Sequence, residues 1–97
     1  RQSMETYVTL VSGTGKGGSM EAAREGIEAS GCKLVASYML MGQYDILLIL
    51  EAPDAVRAAA AIWAARQAAG DFDSKTETMR AFTEKEIERM HSLVQGG

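Results

Sequence analysis

The chain predicts an α+β fold in which two strand-helix-strand units form one four-stranded antiparallel sheet, with helices on one face and an added helix at the end. Three observations predict it. Strand-type and helix-type patterns alternate along the 97 residues. Strand-like residues Lys33 to Met41 run through Gly42-Gln43 into a further strand, the composition of a hairpin. That strand contains Ile46-Leu47-Leu48-Ile49-Leu50, five apolar positions with no polar side, so it needs cover on both faces. One short chain can hardly supply both layers, and a second copy is the expected cover.

The elements follow in order. Tyr7-Val8-Thr9-Leu10-Val11 is β-branched and aromatic, as a pleated surface favours. Gly13-Thr14-Gly15-Lys16-Gly17-Gly18 then makes a flexible connection, and Ser19 caps a helix with Met20, Ala23 and Ile27 on one face. Gly31 supplies its left-handed stop. In the second strand, about Cys32 to Met41, a partial alternation puts Leu34, Ala36, Tyr38 and Leu40 on one face and Lys33, Val35, Ser37, Met39 and Met41 on the other, a mixed second face suited to an edge. Gly42 at the first central position fits a two-residue type II′ turn, so the third strand returns antiparallel from Tyr44 to Glu51. Ala52-Pro53-Asp54 starts an alanine-rich helix, with proline expected at the first helical position and Gly70 at the end. The fourth strand, about Phe72 to Phe82, alternates Thr76, Thr78 and Arg80 against Lys75, Glu77 and Met79, polar enough for the opposite edge. Thr83-Glu84-Lys85-Glu86 is a capping box, followed by Ile87, Met90, His91 and Val94 at helical spacing. This is the ferredoxin-like βαββαβ order with an extra C-terminal helix. Its first and third strands are central, and the face without helices exposes Leu, Ile and Val over more area than a monomer ordinarily leaves bare.

Residues 4–95 are expected to form one domain, and Arg1, Gln2 and Ser3 read as an expression scar before Met4. A chain this size buries about 60 to 65 % of its unfolded surface, a thin core that association would supplement. The net charge of −3 comes from scattered acids with no basic cluster, which argues against nucleic acid or anionic membrane as a partner. No apolar stretch reaches membrane-spanning length. Cys32, the single cysteine, excludes a disulfide framework and fits a reducing compartment, so a cytoplasmic location is expected.

The candidates for chemistry are few. Asp45, with Tyr44 beside it at the mouth of the hairpin, reads as a base or acceptor assisted by a phenol, or as a structural carboxylate that either accepts from turn amides or pairs with Arg80 or Lys75 while Tyr44 packs at the sheet rim. The structural reading is favoured, since a buried polar residue needs a partner whether or not it does chemistry. His91 is the only histidine and shares a helix stripe with Ile87, Met90 and Val94; without a visible partner it reads as a rim residue, with catalysis as the alternative. Cys32 reads as a small apolar residue. Neither a metal site nor a cofactor is assigned. The glycine loop misses both phosphate-loop and dinucleotide spacing and reads as a mobile connection or lid. Tyr38, Met39, Tyr44 and Trp63 offer large soft surfaces for a small apolar ligand, or for core and subunit packing.

Met41-Gly42-Gln43-Tyr44-Asp45 before an apolar strand, then Glu51-Ala52-Pro53-Asp54, and Thr76-Glu77-Thr78-Met79-Arg80-Ala81-Phe82 near the end, resemble the GYD-domain family. Tyr7-Val8-Thr9-Leu10 is similar to that family's first strand, although the first connection here is shorter and richer in glycine. The resemblance implies a dimeric α+β barrel, among whose relatives are cofactor-free monooxygenases, isomerases, haem-degrading proteins and ligand-sensing domains. The reading is a homo-oligomeric domain that binds a small apolar molecule and needs no cofactor. The alternatives are a cofactor-independent oxygenase or isomerase using Tyr44, Asp45 or His91, and a structural or regulatory assembly module.

Overall fold

The protein's structure is a computed structural model that describes residues 3–13, 19–70 and 73–96. The expected roles of residues 14–18 in the glycine loop, and of Phe72 at the head of the fourth strand, lie outside the described residues. The elements are β1 (Glu5–Ser12), α1 (Met20–Ala29), β2 (Lys33–Met39), β3 (Ile46–Ala52), α2 (Ala55–Ala69), β4 (Lys75–Ala81) and α3 (Glu84–Val94). The strands form one sheet in the order β2-β3-β1-β4, every neighbouring pair antiparallel, so the two most apolar strands are central as their composition requires. This is the ferredoxin-like α+β arrangement.

Period-two alternation divides the sheet into two faces. Tyr7, Thr9 and Val11 of β1 pair with Leu50, Leu48 and Ile46 of β3 and turn toward α1 and α2, where they form the core with Ile27, Ala58, Ala61 and Ile62. Each large aliphatic residue fully buried there contributes roughly 1.5–3 kcal/mol. Helix–helix approach is close because side chains are missing. A Cβ on Gly26 of α1 would sit 2.9 Å from the Ala64 carbonyl oxygen of α2, so only glycine permits this spacing. The opposite face carries Val8 and Leu10 paired with Ile49 and Leu47, all partly exposed, and among the described residues no helix covers it.

Three local expectations are corrected. In β2 the register shifts between Leu34 and Ala36, so Leu34 pairs with Leu50 on the helix face while Ala36 and Tyr38 pair with Ile49 and Leu47 on the bare face. The extra residue of a bulge inverts the alternation, and Leu34 and Tyr38 do not share a side. Second, Gly42 is not in a type II′ turn. Its φ is not positive, and the Leu40 amide donates to the Asp45 carbonyl at 2.7 Å, so residues 41–44 form a longer loop that needs no left-handed residue. Third, Pro53 precedes the cap and is not the first helical residue. Asp54 is the N-cap of α2 and accepts from the Arg57 amide at 2.8 Å, because a carboxylate satisfies a free helix-end donor as proline cannot.

Other boundary signals act as read. Ser19 caps α1 through the Ala22 amide, and Gly31 follows that helix with φ 81°. Gly70 stops α2 in the left-handed region. The capping box of α3 is complete: the Thr83 amide donates to Glu86 Oε1 at 2.9 Å, and the Glu86 amide donates to Thr83 Oγ1 at 3.2 Å. Beyond that cap α3 leaves the body of the protein and buries none of its residues.

Candidate functional site

A cavity of about 140 Å³ opens between the helices and the covered face of the sheet. Its origin is the composition of α2: alanines at the sheet-facing positions let the helix lie close, but Ala65 and Ala69 are too short to fill the space opposite Met20 and Ala23 of α1. Val11, Ile46 and Leu48 form the floor. Polar groups gather at one edge, where Thr9, Ser74, Thr76 and Arg66 line the wall. Thr9 is fully buried, and its hydroxyl lies 2.9 Å from that of Thr78, a cross-strand pair. The Arg66 guanidinium donates to the Ser74 carbonyl oxygen at 2.8 Å and ties the last turn of α2 to the residue before β4. The lining is therefore mostly apolar, with hydroxyls and one guanidinium at that edge and Ser19 at the head of α1, a usual composition of a small-molecule site. Sequence reading missed this cavity; the row of alanines in α2 facing Met20 was the available signal.

The residues singled out from the sequence lie elsewhere. Tyr38 stands on the bare face, 57 % exposed, whereas its neighbour Met39 pairs with Ile46 on the other side and is 90 % exposed at the sheet edge. Trp63 projects outward from α2 and borders a groove of about 380 Å³ against Thr76 and Thr78 of β4. Tyr44 reaches across β1 to donate to Glu77 Oε2 at 2.8 Å. One protomer does not gather these four into a single cavity.

Asp45 joins the hairpin to the end of β1. Its amide donates to the Val11 carbonyl at 2.8 Å, and its Oδ2 accepts from the Gly13 amide at 2.7 Å. The expected partner Arg80 is engaged elsewhere: it pairs with Glu86 at 2.7 Å and Glu5 at 3.7 Å, and its guanidinium lies 4.7 Å from the Phe82 ring centroid. The hydrogen bond to Glu77, with the charge of that carboxylate, raises the Tyr44 pKa above its ordinary value, so the phenol is a donor and a poor base. Burial raises the Cys32 thiol and keeps it protonated, as expected of an apolar filler. His91 lies on the exposed α3, apart from Asp45 and Tyr44 in the fold. Among the described residues no group of three His, Cys, Asp or Glu side chains could hold a metal ion, and no helix is long and apolar enough to cross a membrane.

With this geometry in place, comparison with known proteins gives a family. The profile of the GYD domain matches residues 7–90. The chain belongs to the GYD-domain family. No curated protein matches. Among solved structures, one provisionally described as a glycine cleavage system transcriptional repressor superposes with a TM-score of 0.56 at 14 % identity. The alignment covers 84 % of this chain and 47 % of that one, so the GYD chain spans about half the length of the structure it resembles. At that identity the likeness supports the ferredoxin-like fold.

Proposed function

We propose that this GYD domain is a homo-oligomeric binding module that takes a small, largely apolar molecule into the cavity between its helices and sheet. The observation that carries the reading is the cavity itself: about 140 Å³, mostly apolar, with Thr9, Thr76 and Arg66 at one edge and Ser19 at the head of α1. An enclosed apolar cavity of about 150 Å³ accepts benzene, and this one is of similar size but open to solvent on one side, so a small ring or a short branched chain with one polar end is the ligand class that it holds most fully. Pockets for drug-sized ligands run to roughly 300–1,000 Å³, larger than this cavity, whereas the groove beside Trp63 reaches about 380 Å³. The geometry at Asp45 also favours the binding reading, since its carboxylate holds a backbone amide. The second copy covers the bare sheet face, where Val8, Leu10, Leu47 and Ile49 would otherwise stay wet. In such an assembly Tyr38 and Tyr44 sit at the subunit boundary, the one setting in which they would meet a ligand together.

Titration of the isotope-labelled protein with benzene, phenol and isobutyrate, followed by methyl NMR, tests the cavity. Saturable shifts confined to Leu48, Ile62 and Ile46 are expected. Unmoved methyl signals with all three probes at millimolar concentration would overturn the assignment.

A further inference from the structure

Among the described residues, α3 carries an apolar stripe that is exposed along its length. Ile87, Met90, Leu93 and Val94 are all exposed on an amphipathic helix whose other side carries Lys85, Glu88 and Arg89. Its direction is nonetheless fixed. A single residue, Phe82, separates the end of β4 from the Thr83 cap. One oxygen of Glu86 accepts from the Thr83 amide while the other accepts from Arg80, itself stacked over Phe82. Swinging α3 about Phe82 and back onto its own domain would break the Arg80–Glu86 pair. The Cα radius of gyration, 14.8 Å, exceeds the roughly 12.5 Å of a compact chain of this length, as a held-off arm requires.

Area decides what covers the stripe. The bare face of four strands, each about seven residues long, has a footprint of roughly 440 Å², using about 4.8 Å between strands and 3.3 Å per residue. A stable pair of proteins ordinarily buries about 800 Å² of accessible surface per partner. This chain's 6695 Å² exceeds the roughly 5,400 Å² of a compact chain of its mass by more than the sheet footprint. The eleven-residue α3 offers a strip of roughly 160 Å². If each protomer both gives and receives one such strip, the contact extends beyond the sheet face.

We infer that α3 is an exchange arm whose stripe of Ile87, Met90, Leu93 and Val94 docks on a second copy of this chain, extending the contact made by the bare sheet faces. The inference rests on the sheet-face assembly proposed above. A second copy satisfies both unpartnered surfaces with one two-fold operation, which an unrelated partner would not.

Sedimentation velocity at micromolar concentration separates the two claims. The unaltered chain is expected to be dimeric. Met90→Glu with Leu93→Glu should raise the dimer dissociation constant by about 30-fold or more, the effect of losing a contact hot spot, with the near-ultraviolet spectrum of Trp63 unchanged. Leu10→Glu, on the bare sheet face, should likewise give monomers. If Leu10→Glu dissociates the dimer and the α3 double variant does not, the arm is wrong and the sheet-face reading stands; a monomeric unaltered chain ends both. A photo-crosslinker at Val94 in the otherwise unaltered protein should link two chains. Crosslinks confined to one chain, or formed only with another protein in a lysate, would overturn the inference.

Discussion

The two faces of the sheet are made by the same four strands, yet they end in opposite conditions. On one, Tyr7, Thr9, Val11, Leu48 and Leu50 are buried under α1 and α2; on the other, Val8, Leu10, Leu47 and Ile49 are apolar and only partly covered. A strand that borders water needs one polar side, and the two central strands lack one along much of their length. Their missing alternation therefore marks how many layers the fold must acquire, and the chain's own helices account for one.

Substitutions on the two sides test this difference directly, from the largest effect to the smallest. Leu50→Ala, at a position with no exposure, should cost about 2–5 kcal/mol in urea unfolding at any protein concentration. Ile49→Ala, the next residue along β3, should instead shift the midpoint mainly in dilute protein, where a partner no longer covers it; equal, concentration-independent losses for the two would refute the distinction. Gly26→Ala should cost about 1–3 kcal/mol, because the new methyl meets the Ala64 carbonyl and pushes the helices apart. Ala65→Leu fills the cavity, and its expected signature is loss of the benzene-induced methyl shifts with the fold retained.

The smallest effect belongs to acid. The hydrogen bond from Arg80, with the Thr83 amide second, lowers the Glu86 pKa from 4.5 to about 2. A carboxylate depressed in this way stabilises the fold fully above pH 4.5, and that contribution fades as pH falls through about 2. Circular dichroism should then show α3 fraying across that acid window in the unaltered protein, while Glu86→Gln should fray independently of pH there. The same acid fraying in both proteins would show that Glu86 does not govern the helix start.

Much of this architecture was legible in the residues. Caps at Ser19 and Thr83, stops at Gly31 and Gly70, and the apolar density of the central strands are local signals, and local chemistry suffices to place the elements they mark. What escaped depended on distant neighbours or on missing volume. The bulge in β2 adds a residue without changing composition, so Leu34 and Tyr38 looked like companions. Gly42 resembled a turn glycine until the bond between Leu40 and Asp45 set a longer loop. The partner of Asp45 is a backbone amide 32 residues away, which no side-chain motif announces. Tyr38 and Met39 were chosen for softness and size, although neighbours on a strand point apart and could not line one wall. The cavity is defined by the shortness of Ala65 and Ala69, and absent atoms leave only a faint trace in a sequence.

The backbone contact between Gly26 and Ala64 has a mechanical side. Because α1 and α2 meet main chain to main chain, they behave as a single stiff plate hinged over the sheet. On the proposed binding role, a guest entering beside them would meet two helices that move together, so wedging α1 from α2 would first have to break the approach of Gly26 to Ala64.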